Sequence, residues 1–389
     1  MYEGIIIHYN EIAIKGQNRI FFENKLVENV RFAIKNKYKV SREYGYIFIY
    51  FTEINITEVN ELISIIECVP GISSFSLVKT SKLDIDEIKK NAALVLNKNT
   101  FNTFKVASKR SYKQFEYKSP EINAQVGAYI IDNLKKQVDV KNPDVILYIE
   151  INKKNVFLFI NKIKGVGGLP VGAGTKVVCS MSGGIDSPVS AYMFMKRGCP
   201  VTFVHIYNNT LVKNQIKDKL KKLVKILSKF QLKSKLYMVP FSEIQSQIIA
   251  NIRSDYRMII YRRYMFKIIT KIAEIEHAKA IITGDNIGQV ASQTLENITS
   301  IYEATSLPIF SPLIAFDKNE IIIIAKKIGT FETSIIPYPD CCSYMISKHP
   351  KTKTNIQEIL DIEKEMGSVD NLISNAINKS EIFNFQSNK

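Results

Sequence analysis

The sequence Ser182-Gly183-Gly184-Ile185-Asp186-Ser187-Pro188 places a glycine loop between two contrasting patterns. It follows an apolar run at residues 176–181 and precedes residues 188–197, whose pattern is helical. A glycine loop between a strand and a helix N-terminus lets backbone N–H groups approach an anion. The hydroxyls of Ser182 and Ser187 can donate hydrogen bonds there, and Ser187 is a candidate cap for the helix. The stretch therefore predicts a phosphate-binding loop.

Around this loop, strand and helix patterns alternate, which is typical of an α/β domain with a parallel sheet. The predicted strands are residues 176–181, 201–207, 235–239 and 280–283. The predicted helices are residues 188–197, 213–230, 255–277, 290–304 and 318–328. The last helix has a capping-box start, with Asp317 followed three residues later by Glu320. Ligands of such sheets bind at the carboxyl ends of the strands.

The remainder of the chain divides at changes of pattern. Residues 1–56 read as strand, helix and strand, and residues 57–163 form a second α+β region. Residues 164–174 contain five glycines and a proline. This segment is favoured as a linker over a second phosphate loop, because no strand-to-helix context surrounds it. The phosphate-loop domain then covers residues 175–389.

Composition restricts the setting of the protein. The 389 residues carry a net charge of +16, which fits a polyanionic partner such as nucleic acid. An AT-rich genome that favours lysine codons explains the same excess, so composition leaves both open. The five cysteines contain no CxxC pair, which argues against disulfides and a thiolate zinc site. With no signal peptide and no run of about 20 apolar residues, we expect a cytoplasmic protein without membrane contact.

The loop lacks the Gly-Lys-Ser/Thr ending of a Walker motif. Its SGGxDS pattern resembles the PP-loop of ATP pyrophosphatases, which cleave ATP between the α and β phosphates and adenylate a substrate. A carboxylate in an anion-binding loop needs a cation nearby. Asp186 is therefore a candidate to hold Mg²⁺ or to steer the activated oxygen. The alternative is a capped turn with a solvated aspartate.

Several further motifs, spread over nearly the whole chain and in order, closely resemble the ThiI family of tRNA 4-thiouridine synthetases. In the C-terminal half they are TGDNIGQVASQT at 283–294, PYPDCC at 337–342 and KHP at 348–350. In the N-terminal half they are HYNEIAIKGQNR at 8–19, RSYK at 110–113, PDV at 143–145 and GLPVG at 168–172. Asn10 departs from the pattern, because relatives usually have glycine there.

The resemblance implies an N-terminal ferredoxin-like domain, a THUMP RNA-binding domain and a PP-loop domain. By matching position, it implies ATP contacts at Ser180, Met181, Ser182, Gly183, Gly184, Asp186, Ser187, His205, Ile206, Arg262, Gly284 and Gln293. Two of these have ordinary alternatives. His205 would otherwise be a core histidine at a strand end, and Arg262 would be an exposed charge on its helix.

The resemblance also places the sulfur chemistry. It assigns the catalytic roles to Asp186 and Cys342, where a persulfide on Cys342 would attack the activated uridine. Cys341 occupies a position that varies among relatives, and two buried structural thiols are the alternative. Cys179 and Cys199 lie in apolar context and are expected in the core. Without a rhodanese domain in these residues, the sulfur would come from a cysteine desulfurase or another donor.

Candidate RNA contacts follow from basic and aromatic residues. The group Lys109, Arg110, Tyr112 and Lys113 suits phosphate contact and base stacking. Residues 213–235 hold nine lysines and one acid, which predicts either a phosphate track or a merely solvated helix face. By resemblance, the THUMP region would bind the tRNA 3′ end, and the PP-loop domain would receive uridine 8.

The expected function is therefore ATP-dependent adenylation of uridine O4 in tRNA, followed by sulfur transfer. Two alternatives remain: a PP-loop enzyme that modifies another RNA position, and a tRNA-binding protein with an inactive ATP site. The sequence leaves open whether the protein also supplies sulfur for thiamine synthesis. It also leaves the oligomeric state open, with a homodimer as one option.

Overall fold

The computed structural model describes residues 2–51, 54–208, 214–337 and 350–387. The chain divides into two compact units, Met1–Gly168 and Leu169–Lys389. Among the described residues, no helix combines the length and the apolar character that crossing a bilayer requires.

The first unit contains nine strands and four helices among its described residues. In chain order they are β1 (Gly4–His8), α1 (Arg19–Ala33), β2 (Lys39–Glu43), β3 (Tyr46–Tyr50), α2 (Ile56–Ile66), β4 (Ser74–Ser81), α3 (Ile85–Leu96), β5 (Thr103–Arg110), α4 (Ser119–Leu134), β6 (Gln137–Val138), β7 (Val145–Ile151), β8 (Val156–Phe159) and β9 (Ile163–Lys164). Strand β2 did not follow from the sequence, because Val40 is its one fully buried residue.

One sheet runs through the first unit, in the order β2-β3-β1-β4-β8-β7-β5-β6, with β9 also paired to β4. Strand β4 is antiparallel to β1 and to β8, so it joins the two α+β regions that the sequence separates. The glycine segment continues this sheet at first. The backbone N–H of Gly165 donates to the carbonyl of Ser73, and a Cβ on Gly165 would lie 2.4 Å from the carbonyl oxygen of Ile72. The domain boundaries proposed from the sequence stay predictions.

The second unit contains six strands and nine helices among its described residues. They are β10 (Val177–Ser180), α5 (Asp186–Lys196), β11 (Val201–Tyr207), α6 (Asn214–Gln231), β12 (Lys233–Pro240), α7 (Ser242–Asn251), α8 (Arg257–Ile275), β13 (Ile281–Ile282), α9 (Leu295–Tyr302), β14 (Ile309–Phe310), α10 (Lys318–Lys327), α11 (Phe331–Ser334), α12 (Ile356–Lys364), α13 (Asp370–Asn378) and β15 (Glu381–Gln386).

The sheet order of this unit is β14-β13-β10-β11-β12-β15. The first five strands are parallel, which confirms the predicted α/β fold, and β15 pairs antiparallel with β12. The carboxyl ends of β10 and β13, adjacent in the sheet, lead directly into the phosphate-loop stretch and the 283–294 motif. The capping box of Asp317 and Glu320 at the start of α10 is present as predicted.

Helix α6 shows how far the predicted phosphate track extends. Its apolar face is buried as expected, but several lysines have structural contacts. Lys219 is buried and donates to the carbonyls of Ser334 (2.9 Å) and Ile336 (2.7 Å). Lys217 pairs with Glu381, so it too is engaged within the unit. The exposed lysines of the stretch are Lys222, Lys225, Lys229 and Lys233. The prediction of a phosphate track that uses all nine lysines is therefore wrong. The four exposed lysines form a shorter basic face.

Replacing Lys219 by methionine is expected to change the pH dependence of the free energy of unfolding. Burial lowers the pKa of Lys219 to about 8, below its value in the unfolded chain. Between these two pKa values the unfolded chain binds more protons, so this group makes the wild type more stable as pH rises. Urea unfolding across this window should show the wild type gaining stability relative to Lys219→Met. Lys222→Met, on the exposed face, should keep the wild-type slope, and equal slopes in all three proteins would contradict the assignment.

Candidate active site

The phosphate loop is held by hydrogen bonds among its own residues. The hydroxyl of Ser187 accepts from the backbone N–H of Ser182 (3.1 Å) and lies 3.1 Å from the hydroxyl of Ser182. The backbone N–H of Gly184 donates to that Ser182 hydroxyl (3.3 Å). Helix α5 begins at Asp186, so Ser187 lies inside the first turn and does not cap the helix. The expected cap was wrong because the helix starts two residues earlier than its apolar pattern indicated.

The loop that follows β13 packs directly on the start of α5. A Cβ on Gly284 would lie 2.7 Å from the backbone nitrogen of Ser187 and 3.0 Å from the carbonyl carbon of Asp186. Only glycine permits this approach without a shift of the backbone. The close contact brings the 283–294 motif to the phosphate loop, as the resemblance implied.

Asp186 faces two donors that lie far from it in sequence. Its Oδ1 lies 2.6 Å from Nζ of Lys318, the first residue of α10, and its Oδ2 accepts from Nε2 of Gln289 (3.1 Å). The side chain of Lys318 is 44% exposed. Gln289 stood in a quoted motif without an assigned role. The sequence did not predict a role for Lys318, because no local pattern indicates a contact between residues 132 positions apart.

A buried carboxylate, Asp285, organises the neighbouring wall. Its Oδ2 accepts from Nη2 of Arg262 (2.6 Å) and from the hydroxyl of Tyr302 (2.7 Å), and its Oδ1 accepts from Nε2 of Gln293 (3.0 Å). Burial alone would raise the pKa of Asp285, but the charge of Arg262 and these hydrogen bonds hold the pKa below its ordinary value. Arg262 is therefore a paired residue of the site rather than an exposed charge. Asp285 was not assigned a role by the sequence, although it stood in the motif.

Five of these groups, Asp186, Gln289, Asp285, Arg262 and Gln293, line one cavity of about 430 Å³, whereas Lys318 and Tyr302 contact them from outside its lining. One side is a single face of α8, built by Met258, Ile259, Arg262, Met265, Phe266 and Ile269. The residues predicted to contact ATP that line it are Ser180, Ser182, Asp186, Ser187, Arg262, Gly284 and Gln293. A volume of this size accommodates a nucleotide-sized ligand. The structure thus brings together seven of the predicted contacts beside an apolar wall that the sequence did not single out.

The other predicted ATP contacts do not line the cavity. Gly183 and Gly184 belong to the loop backbone, and Gly183 has a φ of +82° that favours glycine. His205 is buried, with Nδ1 2.7 Å from the carbonyl oxygen of Met181. Ile206 is part of the hydrophobic core. Their contact with ATP stays a prediction.

The cysteines fall into two groups. Cys341 and Cys342 lie outside the described residues. Cys179 is fully buried, as expected, and burial raises the pKa of its thiol far above the ordinary value. Cys199 is half-buried, and burial raises its pKa as well. Within the described ranges, no group of three or more His, Cys, Asp or Glu side chains could hold a metal ion.

The candidate RNA contacts of the first unit lie at the end of β5 and in the loop after it. Lys109 and Lys113 are exposed. Arg110 and Tyr112 are half-buried, and Nη1 of Arg110 donates to the carbonyl of Phe115 (3.1 Å). The lysines are therefore free to face a phosphate backbone, while Arg110 also holds the loop in shape. Their role in RNA binding stays a prediction.

Three family profiles match the chain in succession. A ThiI ferredoxin-like domain matches residues 4–76, and a THUMP domain matches residues 82–161. A profile described as "Thiamine biosynthesis protein (ThiI)" matches residues 172–367.

Whole-length relatives agree with these profiles. A probable tRNA sulfurtransferase of Caldanaerobacter subterraneus is 42% identical over 94% of this chain and 96% of its own length. One of Halothermothrix orenii is 39% identical over 98% of both chains. Among solved structures, a 4-thiouridine synthetase–RNA complex with bound ATP superposes with a TM-score of 0.91, at 35% identity, over 99% of this chain and 100% of that one.

Proposed function

Because the chain belongs to the ThiI family, we propose that it is a tRNA sulfurtransferase that uses ATP to convert a uridine of tRNA, at position 8, into 4-thiouridine. The observation that carries the proposal is the phosphate loop at the wall of the cavity, with Asp186 joined to Lys318 at 2.6 Å. Relatives that share almost the whole length of the chain are named probable tRNA sulfurtransferases. In the proposed reaction ATP first activates the uridine, and the residues that line this cavity would contact the ATP.

In the first step, uridine O4 attacks the α-phosphorus of ATP, an O–P bond forms, and pyrophosphate leaves. Backbone N–H groups of the 182–187 loop would hold the phosphates, and the positive end of α5 would favour their charge. Lys318 would neutralise charge that develops on the departing pyrophosphate. Asp186 holds Lys318 in place until ATP enters.

Mg²⁺ fits this site through a limited set of protein donors. Mg²⁺ commonly binds one or two carboxylates together with substrate phosphates and water. Asp186 is the carboxylate at the loop, since Asp285 is already occupied by three donors. The ion would supply charge neutralisation at the phosphates. Asp186 would hold the ion, and Lys318, beside it, would add positive charge for the phosphates.

In the second step, the terminal sulfur of a persulfide on Cys342 attacks C4 of the adenylated uridine, and AMP leaves. A cysteine desulfurase, whose own persulfide carries sulfane sulfur, would load Cys342 by transfer of that sulfur from thiol to thiol. The same persulfide would serve sulfur supply for thiamine synthesis, in line with the name of the matching profile. The reaction fits a cytoplasmic enzyme, and a homodimer is compatible with this scheme.

A direct test combines the purified full chain, ATP, a sulfur donor and unmodified tRNA. We expect pyrophosphate release that depends on tRNA and 4-thiouridine that mass spectrometry detects. A tRNA transcript with cytidine in place of uridine 8 should support neither. Undiminished release with that transcript would indicate another RNA position, and tRNA binding without any pyrophosphate release would indicate an inactive binding protein.

A fragment of residues 169–389 is expected to bind ATP but to lose most of the affinity for tRNA. The ATP cavity lies within this unit, whereas the THUMP match and the Lys109–Lys113 loop lie in the other. The fragment begins at Leu169 because the backbone N–H groups of Leu169 and Gly172 donate to carbonyls of the second unit. Calorimetry with ATP and filter binding with tRNA measure the two affinities. Equal tRNA affinity of the fragment and the full chain would reject this division of roles.

A further inference from the structure

We infer that Asp285 is a positioning residue of the nucleotide site, which fixes the amide of Gln293 so that its buried Oε1 accepts a hydrogen bond from the bound nucleoside. The inference rests on the proposed ATP-dependent function. It assigns a role to a carboxylate that lies in the cavity wall and holds two other lining side chains, Arg262 and Gln293.

The chemistry of the carboxylate sets the orientation of the amide. An ionised carboxylate accepts hydrogen bonds and donates none, so only the NH₂ end of Gln293 can face Oδ1 of Asp285. A flipped amide would place two acceptors against each other. The observed Nε2 to Oδ1 distance of 3.0 Å therefore fixes Oε1 on the opposite side. Burial would raise the pKa of Asp285, but the charge of Arg262 and the hydrogen bonds from Tyr302, Arg262 and Gln293 together hold the pKa below its ordinary value, so the group stays ionised near neutral pH.

The free end of that amide lacks a partner. Oε1 of Gln293 is buried and has no hydrogen-bond partner among the described residues. Buried polar atoms are rarely left unpaired in native proteins, and exceptions mark places where a ligand or water completes the site. Since Gln293 lines the cavity, the bound nucleotide is the source of the missing donor. In ATP, the donors of the nucleoside are the exocyclic amine of adenine and the ribose hydroxyls.

The neighbouring arginine shows what a purely structural pair looks like on the same helix. Arg263 is buried next to Arg262 on α8 and pairs with Glu363 (2.9 Å) and Glu303 (2.9 Å). Neither Arg263 nor its acidic partners line the cavity. Asp285 differs because it lines the cavity together with Arg262 and Gln293, two of its three donors. Its loop is also anchored on the phosphate loop through Gly284.

The central experiment compares Asp285→Asn with Glu363→Gln in the full-length protein. Asparagine removes the charge and can present an NH₂ group to Gln293, so the amide is no longer fixed. We expect Asp285→Asn to weaken ATP binding by about ten- to a hundredfold, with tRNA affinity unchanged. Glu363→Gln removes an equally buried carboxylate and should lower Tm without changing the Kd for ATP. An unchanged Kd for ATP in Asp285→Asn would overturn the inference.

A double-mutant cycle separates positioning from a general loss of stability. If Asp285 acts through the amide, Gln293→Met should weaken ATP binding in the wild type but add little in the Asp285→Asn background. If the loss of ATP affinity in the double variant equals the product of the losses in the two single variants, the assigned role is contradicted. Should Asp285→Asn fail to fold, Tyr302→Phe removes one donor to the same carboxylate and should weaken ATP binding by about two- to tenfold. An unchanged Kd there would then overturn the inference.

Nucleotide analogues identify the donor. Binding of ATP, 2′-deoxyATP, 3′-deoxyATP and purine riboside triphosphate, which lacks the amine, should be compared between the wild type and Gln293→Met. The analogue for which Gln293→Met causes no further loss is the one that lacks the group donating to Oε1. Equal losses with all four nucleotides would reject Oε1 as the acceptor. If the wild type binds ATP but forms no 4-thiouridine, the proposed function is refuted and this inference is not. If the wild type forms 4-thiouridine and Asp285→Asn binds ATP normally, this inference is refuted and the proposed function is not.

Discussion

Replacing Asp186 by alanine is expected to reduce 4-thiouridine formation by at least about a thousandfold while tRNA affinity stays unchanged. The carboxylate joins Lys318 and Gln289 at the phosphate loop, so its loss removes the candidate Mg²⁺ ligand and releases the ammonium of Lys318. The candidate RNA-binding residues lie in the other unit, so the substitution should leave the affinity for tRNA unchanged. Pyrophosphate release in the presence of tRNA measures the effect on the first step.

Asp370→Ala is a matched control for this variant. Asp370 is also the first residue of a helix, α13, and it lies outside the cavity, so its loss should leave thiolation unchanged. If Asp186→Ala retains tRNA-dependent pyrophosphate release, the proposed role of the loop carboxylate is contradicted. Loss of activity in both variants would show that any first-turn aspartate of this unit is needed for folding rather than for chemistry.

Replacing Cys342 by serine is expected to abolish thiolation supported by a cysteine desulfurase, because no persulfide can then form on residue 342. After the terminal sulfur attacks C4 and AMP leaves, the RNA is joined to Cys342 through a disulfide. A second thiol must break this S–S bond to release 4-thiouridine. Cys341 is adjacent in sequence, and a disulfide between Cys341 and Cys342 would close a strained ring that is easily reduced.

Cys341→Ser should therefore slow repeated turnover at most, because cellular reductant can also release the product. Single-turnover thiolation with a desulfurase as the sulfur donor separates the two variants. Cys199→Ser provides a control thiol of the same unit, half-buried and away from the cavity. Full activity of Cys342→Ser with the desulfurase would remove the persulfide from the mechanism.

The parts of the fold that could be predicted are those whose local pattern is strong. The parallel strands β10 to β13 read as apolar runs, and α10 showed its capping box through Asp317 and Glu320. Strand β15 could not be predicted in the same way. It is an edge strand whose residues are exposed or half-buried, so no buried run marks it, and only its pairing with β12 defines it.

The same distinction applies to the candidate site. The loop residues and Gly284 could be found because the phosphate-binding geometry is written in consecutive residues. Lys318 and Tyr302 reach Asp186 and Asp285 from distant helices, and a single sequence carries no sign of such pairings. Lys219 was misjudged for a related reason. Helical pattern alone cannot tell a solvated lysine from one that is buried against carbonyl groups of another element.

Strand β4 limits how this protein could have been assembled from smaller genes. Residues 74–81 span the junction between the two matched N-terminal domains, and this one strand borders β1 on one side and β8 on the other. A recombination point on either side of β4 would leave one of the two domains with an unpaired strand edge, which invites aggregation. We therefore expect the two domains to be inherited together, and amide hydrogens of β1, β4 and β8 to exchange as one cooperative unit.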